Sequence, residues 1–237
     1  GIGDTLEQIG QGNQGHSGDF FFIGTKTGDL ILSGGNTLGT YTYNVNKATN
    51  TTAVQVWKGS STDVLSQGNF NVVNGDLRFD DDVPATVNGT VSIQNNGTLS
   101  MPAAEYFNLS NNFTATASST INHRMGTLNF IGNSARDFDF GAPKRFYDIE
   151  FNRTASGGAL RPLGGNDTMI AENNLKLVSG YMAGGTGPAI LLVEGDMQAL
   201  SSISGSNDWG YSIAFTGDAN SNYTAEAGVP MPTGAGS

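Results

Sequence analysis

The chain contains no cysteine, so neither a disulfide framework nor a thiolate metal site holds it together. Charge is also scarce: charged residues make up 14% of the 237, against about 25% in an ordinary soluble domain. Basic residues are the rarer sign, 11 Lys and Arg against 21 Asp and Glu, giving a formal charge of −10. That balance excludes a role resting on neutralised phosphates, so no nucleic-acid partner is expected. Long apolar runs are missing too. The densest, Phe20-Phe21-Phe22-Ile23, is four residues long, far short of the roughly 18 of a membrane helix, and no membrane insertion is expected. Helical periodicity is nearly absent, with Thr5 to Ile9 and Pro102 to Tyr106 its best candidates. Gly1 replaces an initiator Met and no charged-then-apolar leader follows, which reads as a processed product or a fragment of a longer chain.

Glycine (34 residues), asparagine, serine and threonine supply the polarity instead. Short segments alternate with period two and carry β-branched or aromatic residues, among them Ala53 to Trp57, Phe70 to Val73, Thr127 to Ile131, Phe146 to Phe151, Ile190 to Val193 and Tyr211 to Phe215. Gly and Asn pairs such as Asn74-Gly75, Asn88-Gly89, Asn96-Gly97 and Gly184-Gly185 separate them, and these residues tolerate positive φ at turns. Strands about 8–12 residues apart define an all-β fold. A phrase also recurs, a turn residue and a small polar one before apolar-x-apolar. It stands at Gly28-Asp29-Leu30-Ile31-Leu32, Gly75-Asp76-Leu77-Arg78-Phe79, Gly89-Thr90-Val91-Ser92-Ile93, Asn173-Asn174-Leu175-Lys176-Leu177 and Gly195-Asp196-Met197-Gln198-Ala199. Units of about 20 residues predict a parallel β-helix or β-solenoid whose coils bury an apolar stripe against one another. A Greek-key β-sandwich is the alternative, since it also alternates strands with Gly-rich turns.

Residues 126–182 carry a resemblance. They read Gly-Thr-Leu-Asn-Phe-Ile-Gly-Asn-Ser, then Phe146-Tyr147-Asp148-Ile149-Glu150-Phe151-Asn152, then Asn174-Leu175-Lys176-Leu177-Val178-Ser179-Gly180. This order resembles the repeats of large secreted surface and adhesin proteins of Bacteroidota-type bacteria, although Asp148 and Glu172-Asn173-Asn174 depart from the usual Asn and Gly-Asn. The resemblance implies a right-handed β-helix-like fold in a cell-surface or secreted protein, and it brings no catalytic residues. The chain then divides into an N-terminal cap or junction (1–25), solenoid repeats (26–204), and a C-terminal cap strand with a flexible linker (205–237).

Candidate chemistry is sparse. Asp80-Asp81-Asp82 offers carboxylates for Ca²⁺, but consecutive residues cannot all face one ion, and a solvated turn explains them as well. Asp137 and Asp139 share a strand face, as do Asp148 and Glu150, the pairing that acid/base work on polysaccharides uses; neighbouring bases compensate them equally well. Arg136, Lys144, Arg145, Arg153 and Arg161 form a basic stretch suited to an anionic glycan or an acidic partner. His16 and His123 stand alone, no Gly-x-Ser-x-Gly elbow occurs, and Trp57 and Trp209 suit packing as well as sugar stacking. No cofactor and no enzymatic activity are expected. The expected role is structural: an extracellular stalk, filament subunit or adhesin module, contacting further copies of itself, the rest of a longer surface protein, or polysaccharide. Phe20, Phe21, Phe22 and Ile23 are the self-assembly candidates. The competing role is a carbohydrate-binding or polysaccharide-cleaving β-helix protein.

Overall fold

The computed structural model describes residues 4–9, 19–33, 40–58, 64–153, 159–163, 167–182, 189–200, 211–217 and 221–226. These residues form strands and connecting turns, with no helix among them. The chain divides into two units, residues 1–126 and 127–237.

Unit 1 begins with β1 (Asp4–Ile9), β2 (Phe20–Gly24), β3 (Gly28–Ser33), β4 (Thr42–Lys47), β5 (Ala53–Trp57) and β6 (Val64–Ser66). It continues with β7 (Asn69–Phe79), β8 (Ala85–Val87), β9 (Val91–Ser100), β10 (Tyr106–Leu109), β11 (Phe113–Ala115) and β12 (Thr120–Asn122). They build three parallel ladders. The first runs β1, β3, β5, residues 76–79 of β7, residues 98–100 of β9, then β12. The second runs β2, β4, residues 69–74 of β7, residues 91–93 of β9, then β11. The third is β6, β8, β10. Partners in register lie 21–28 residues apart, which is one coil of a parallel β-solenoid.

Unit 2 repeats this plan. Its strands are β13 (Thr127–Gly132), β14 (Arg136–Phe140), β15 (Lys144–Arg153), β16 (Ala159–Pro162) and β17 (Thr168–Ser179), followed by β18 (Tyr181–Met182), β19 (Ala189–Val193), β20 (Asp196–Ala199), β21 (Tyr211–Phe215) and β22 (Tyr223–Ala225). One ladder joins β13, residues 148–152 of β15, residues 174–179 of β17, β20 and β22. A second joins residues 144–146 of β15, residues 168–171 of β17, β19 and β21. A third joins β14, β16 and β18. The solenoid reading therefore holds over the sandwich, because every pairing recorded is parallel and advances by one coil. The three phrases that carry the resemblance are successive rungs of the first of these ladders.

Parallel registration stacks like on like. Phe20 stacks on Tyr43 with ring centroids 5.5 Å apart, and Tyr43 on Phe70 at 5.3 Å. In unit 2 Phe130 stacks on Phe151 at 5.3 Å. Inward aliphatics such as Val54, Leu77 and Leu99 are fully buried between neighbouring coils. Outward positions carry amides that form a ladder of their own: Asn71 Nδ2 donates to Asn44 Oδ1 and Gln94 Nε2 to Asn71 Oδ1, each at 2.9 Å.

Several local expectations are corrected. Residues 5–9, a helix candidate, are strand, because β1 pairs along its whole length with β3 and tertiary pairing overrides a weak local preference. Residues 103–105 form a turn leading into β10, which begins at Tyr106. Asn74-Gly75 and Asn96-Gly97 are not reversals; they are corners within the continuous strands β7 and β9, where the chain bends and keeps winding. Gly184-Gly185 lies outside the described residues. The recurring phrase marks strands on different ladders rather than one fixed position of the coil.

The two units also share positions 105–108 residues apart. Gly24, Lys47 and Gly75 occupy successive coils at one corner of unit 1, and Gly132, Arg153 and Gly180 do so in unit 2. All four glycines have positive φ, between 85° and 107°. A Cβ on Gly75 would lie 3.0 Å from Lys47 Cβ, and one on Gly180 2.8 Å from Arg153 Cβ, so glycine is what lets the basic residue turn inward. Gly89 and Gly195 correspond in the same way: a Cβ there would come within 2.0 Å and 1.7 Å of the previous coil's backbone oxygen, of Gly68 and Asn173 respectively. Unit 2 thus repeats the corner pattern of unit 1.

Candidate functional site

Most of the acids singled out by sequence are used within the fold. Asp80 is buried, its carboxylate accepting from the backbone N–H of Asp81 at 2.9 Å and of Lys58 at 3.3 Å. Asp81 pairs with Arg124, and Asp82 is exposed. Arg124 also donates to the carbonyls of Phe79 and Met101 at 3.3 Å, tying two earlier coils to its own corner. The three carboxylates therefore point to three different tasks and do not converge on an ion. Among the described residues no group of three or more His, Asp or Glu is placed to hold a metal.

Asp137 and Asp139 do share the outer face of β14 opposite buried Phe138 and Phe140, as alternation predicts. Asp137 Oδ1 accepts from Arg161 Nε of the next coil at 2.8 Å. Asp148 Oδ1 accepts from Asn173 Nδ2 at 3.0 Å, and Glu150 lies 3.6 Å from the Lys176 ammonium. Asp137, Asp148 and Glu150 thus each have a cross-coil partner, an arrangement that ties coils together.

The basic stretch does not form one exposed stripe. Lys144 and Arg153 are buried, and burial lowers the Lys144 ammonium's pKa. Arg153 donates through Nη1 to Ile131 O at 2.9 Å and through Nη2 to Ser134 O. Burial, with a smaller contribution from the positive Arg136, pushes its pKa down to about 10. Arg145 bridges Glu172 and Glu194, both at 2.5 Å, and those hydrogen bonds raise its pKa. Arg161 holds Asp137, and Arg136 also has a partner.

The candidate assembly strand splits by alternation. Phe20 and Phe22 turn inward, while Phe21 and Ile23 are 67% and 60% exposed on the outer face of β2. Trp57 is half exposed and donates its indole N–H to Asp29 Oδ1 at 3.0 Å. His123 accepts from the Met125 N–H at 3.2 Å through Nδ1; His16 and Trp209 lie outside the described residues.

A groove of about 330 Å³ opens on the outer face of the first ladder of unit 1. Registration makes its floor two columns, Asp76–Thr98–Thr120 and Arg78–Ser100–Asn122, with the turn at Asn50 and Thr51 beside them. Asp76 Oδ2 takes both Arg78 Nη2 at 2.8 Å and Nε at 3.2 Å. Asp76 Oδ1 is buried with no hydrogen-bond partner. Sequence reasoning read Asp76 and Arg78 only as part of a repeated phrase. Two signals were available: alternation puts both on one face, and Thr98 and Ser100 sit one coil later.

No model of a known protein family, no curated protein and no solved structure matches this chain.

Proposed function

We propose that this chain is a non-catalytic extracellular scaffold, a stiff spacer or adhesin module of a bacterial surface protein. Its coils resist deformation and its outer faces and ends make the contacts. The observation that carries this reading is the cross-coil use of its acids and bases. Asp137–Arg161, Asp148–Asn173, Glu150–Lys176 and Arg145–Glu172–Glu194 each join one coil to another. General acid/base catalysis needs a pair of carboxylates left open to a substrate, and in each pair at least one acid is committed to a neighbour: Asp137 in the first, both Asp148 and Glu150 in the second. The resemblance of residues 126–182 to secreted surface repeats supports the extracellular setting.

Self-association through β2 belongs to the same reading. Phe21 and Ile23 present apolar surface two positions apart on a strand of the first described coils, and exposed strands recruit further strands. Removing residues 1–25 should leave a monomer at concentrations where the full chain associates, read by light scattering and electron microscopy. Undiminished association after the deletion, or release of reducing ends from pectin or alginate by the intact chain, refutes the corresponding half of the proposal.

A further inference from the structure

We propose that the groove over β7, β9 and β12 is a binding site for a neutral sugar chain, gripped by the Asp76–Arg78 pair. Its volume of about 330 Å³ lies within the range of small-ligand clefts, about 300–1,000 Å³. The argument starts at Asp76. Its side chain is 7% exposed, and both hydrogen bonds from Arg78 go to a single carboxylate oxygen. The other oxygen has no partner, a condition costly enough in a buried carboxylate to need an explanation. Arg78 is 44% exposed and spends only two of its N–H groups on Asp76. An acceptor lacking a donor therefore stands beside donors lacking an acceptor. A turn of the Asp76 carboxylate toward the groove lets an alcohol O–H complete both, since one hydroxyl donates and accepts at once.

The surroundings select the ligand class. Thr98 and Thr120 add hydroxyls, and Asn122 adds an amide that donates to the buried Ser100 Oγ at 3.3 Å. Parallel registration repeats these groups every coil, about 4.8 Å, so the site is a row rather than a point and suits a chain of hydroxyl-bearing rings. An anion is disfavoured because Asp76 neutralises Arg78 within a chain of charge −10. A divalent cation is disfavoured because, among the described residues, Asp76 is the only carboxylate lining the groove. Unit 2 lacks the pair: 105 residues after Asp76 and Arg78 stand Tyr181 and Ala183.

The proposal deepens the adhesin reading and takes from it only the source of the ligand. The test titrates the full chain with cellohexaose, laminarihexaose, mannohexaose, maltohexaose and chitohexaose, each to about 10 mM, by calorimetry and by amide chemical shifts. At least one should bind, with shift changes concentrated at Thr98, Ser100, Thr120 and Asn122. Arg78→Ala should weaken that binding about tenfold or more, as should the near-isosteric Asp76→Asn, which guards against loss of fold. Arg161→Ala in unit 2 should leave it unchanged. Affinity should vary less than about twofold between roughly 50 mM and 0.5 M salt, as expected of an uncharged ligand. Binding by none of the five, binding that maps elsewhere, or binding indifferent to Arg78→Ala overturns the groove assignment. The scaffold reading is judged separately, by association of the chain lacking residues 1–25.

Discussion

Units 1 and 2 each place a cation at a corner between two glycines with positive φ, yet the two cations reach differently. Lys47 is 1% exposed and donates its ammonium to Ile23 O at 3.1 Å, with the Phe22 ring centroid 6.0 Å away. Arg153, equally buried, spans two carbonyls of the preceding coil, those of Ile131 and Ser134. A strand that bends without reversing turns a carbonyl away from its ladder, and a buried carbonyl left unpaired is costly. The corner therefore requires a long donor, and either side chain supplies one. The outer faces obey no such demand. Unit 1 carries the Asp76–Arg78 groove, whereas unit 2 carries the Asp137–Arg161 and Arg145–Glu172–Glu194 cross-coil pairs. Between the two units the corners are alike and the outer faces differ.

The sharpest test of equivalence is at Gly89 and Gly195. Alanine at either puts its Cβ against a backbone oxygen that cannot swing aside, so each should cost about 3 kcal/mol or more, read from urea denaturation. Gly24→Ala meets nothing within 4 Å and should cost only its strained φ of 85°, about 1–2 kcal/mol. A small loss at Gly195 beside a large one at Gly89 would break the correspondence.

Next come the corner cations. Among the described residues Arg153→Ala strands the carbonyls of Ile131 and Ser134 and should cost about 3 kcal/mol; Lys47→Ala strands that of Ile23 and should cost about 2 kcal/mol. Arg153→Lys should recover only part of the loss, because an ammonium lacks the forked geometry that reaches both oxygens. Full recovery would mean that a single positive charge, not the pair of hydrogen bonds, is what the corner needs.

How much of this was readable beforehand depends on how local each cause is. Alternation exposed Phe138 and Phe140 as inward and Asp137 and Asp139 as outward without any structure. Repeated phrases disclosed coils, since each phrase is a strand that buries alternate residues. The burial of Lys47 and Arg153 was hidden, because it depends on glycines one coil away rather than on neighbours in sequence. The groove was hidden for the same reason: Asp76, Thr98 and Thr120 meet only through registration about 22 residues apart. The basic stretch misled because nearness along the chain was taken for nearness on one face, and one bend buries Arg153 while Arg145 stays outside.

Surface ladders should matter less than corners. Arg145→Ala removes both bonds to Glu172 and Glu194, but Arg145 is half exposed and water screens the pair. The expected loss is about 1 kcal/mol or less, and it should shrink further in about 0.5 M salt. A loss matching that of Arg153→Ala would show that cross-coil pairs on the outer face carry the stack as much as the corners do.

The smallest effect concerns Lys144, at the start of β15 in unit 2. Burial lowers its folded pKa below the ordinary 10.5, so the folded state gives up this proton before the unfolded state does. Within the window between the lowered value and 10.5, the unfolded chain binds more protons, and stability rises with pH. Below that window the cost of a charged, buried ammonium is present in full; above it the cost is gone. Lys144→Met keeps the length of the stem and removes the proton. Relative to the native chain, Lys144→Met should therefore be at its most stable near pH 7 and lose ground steadily as pH climbs toward 10.5. Paired urea titrations of the two proteins across that range read the difference directly. If it instead shifts in favour of Lys144→Met with rising pH, a negative partner stabilises the ammonium, and burial is not what governs this side chain.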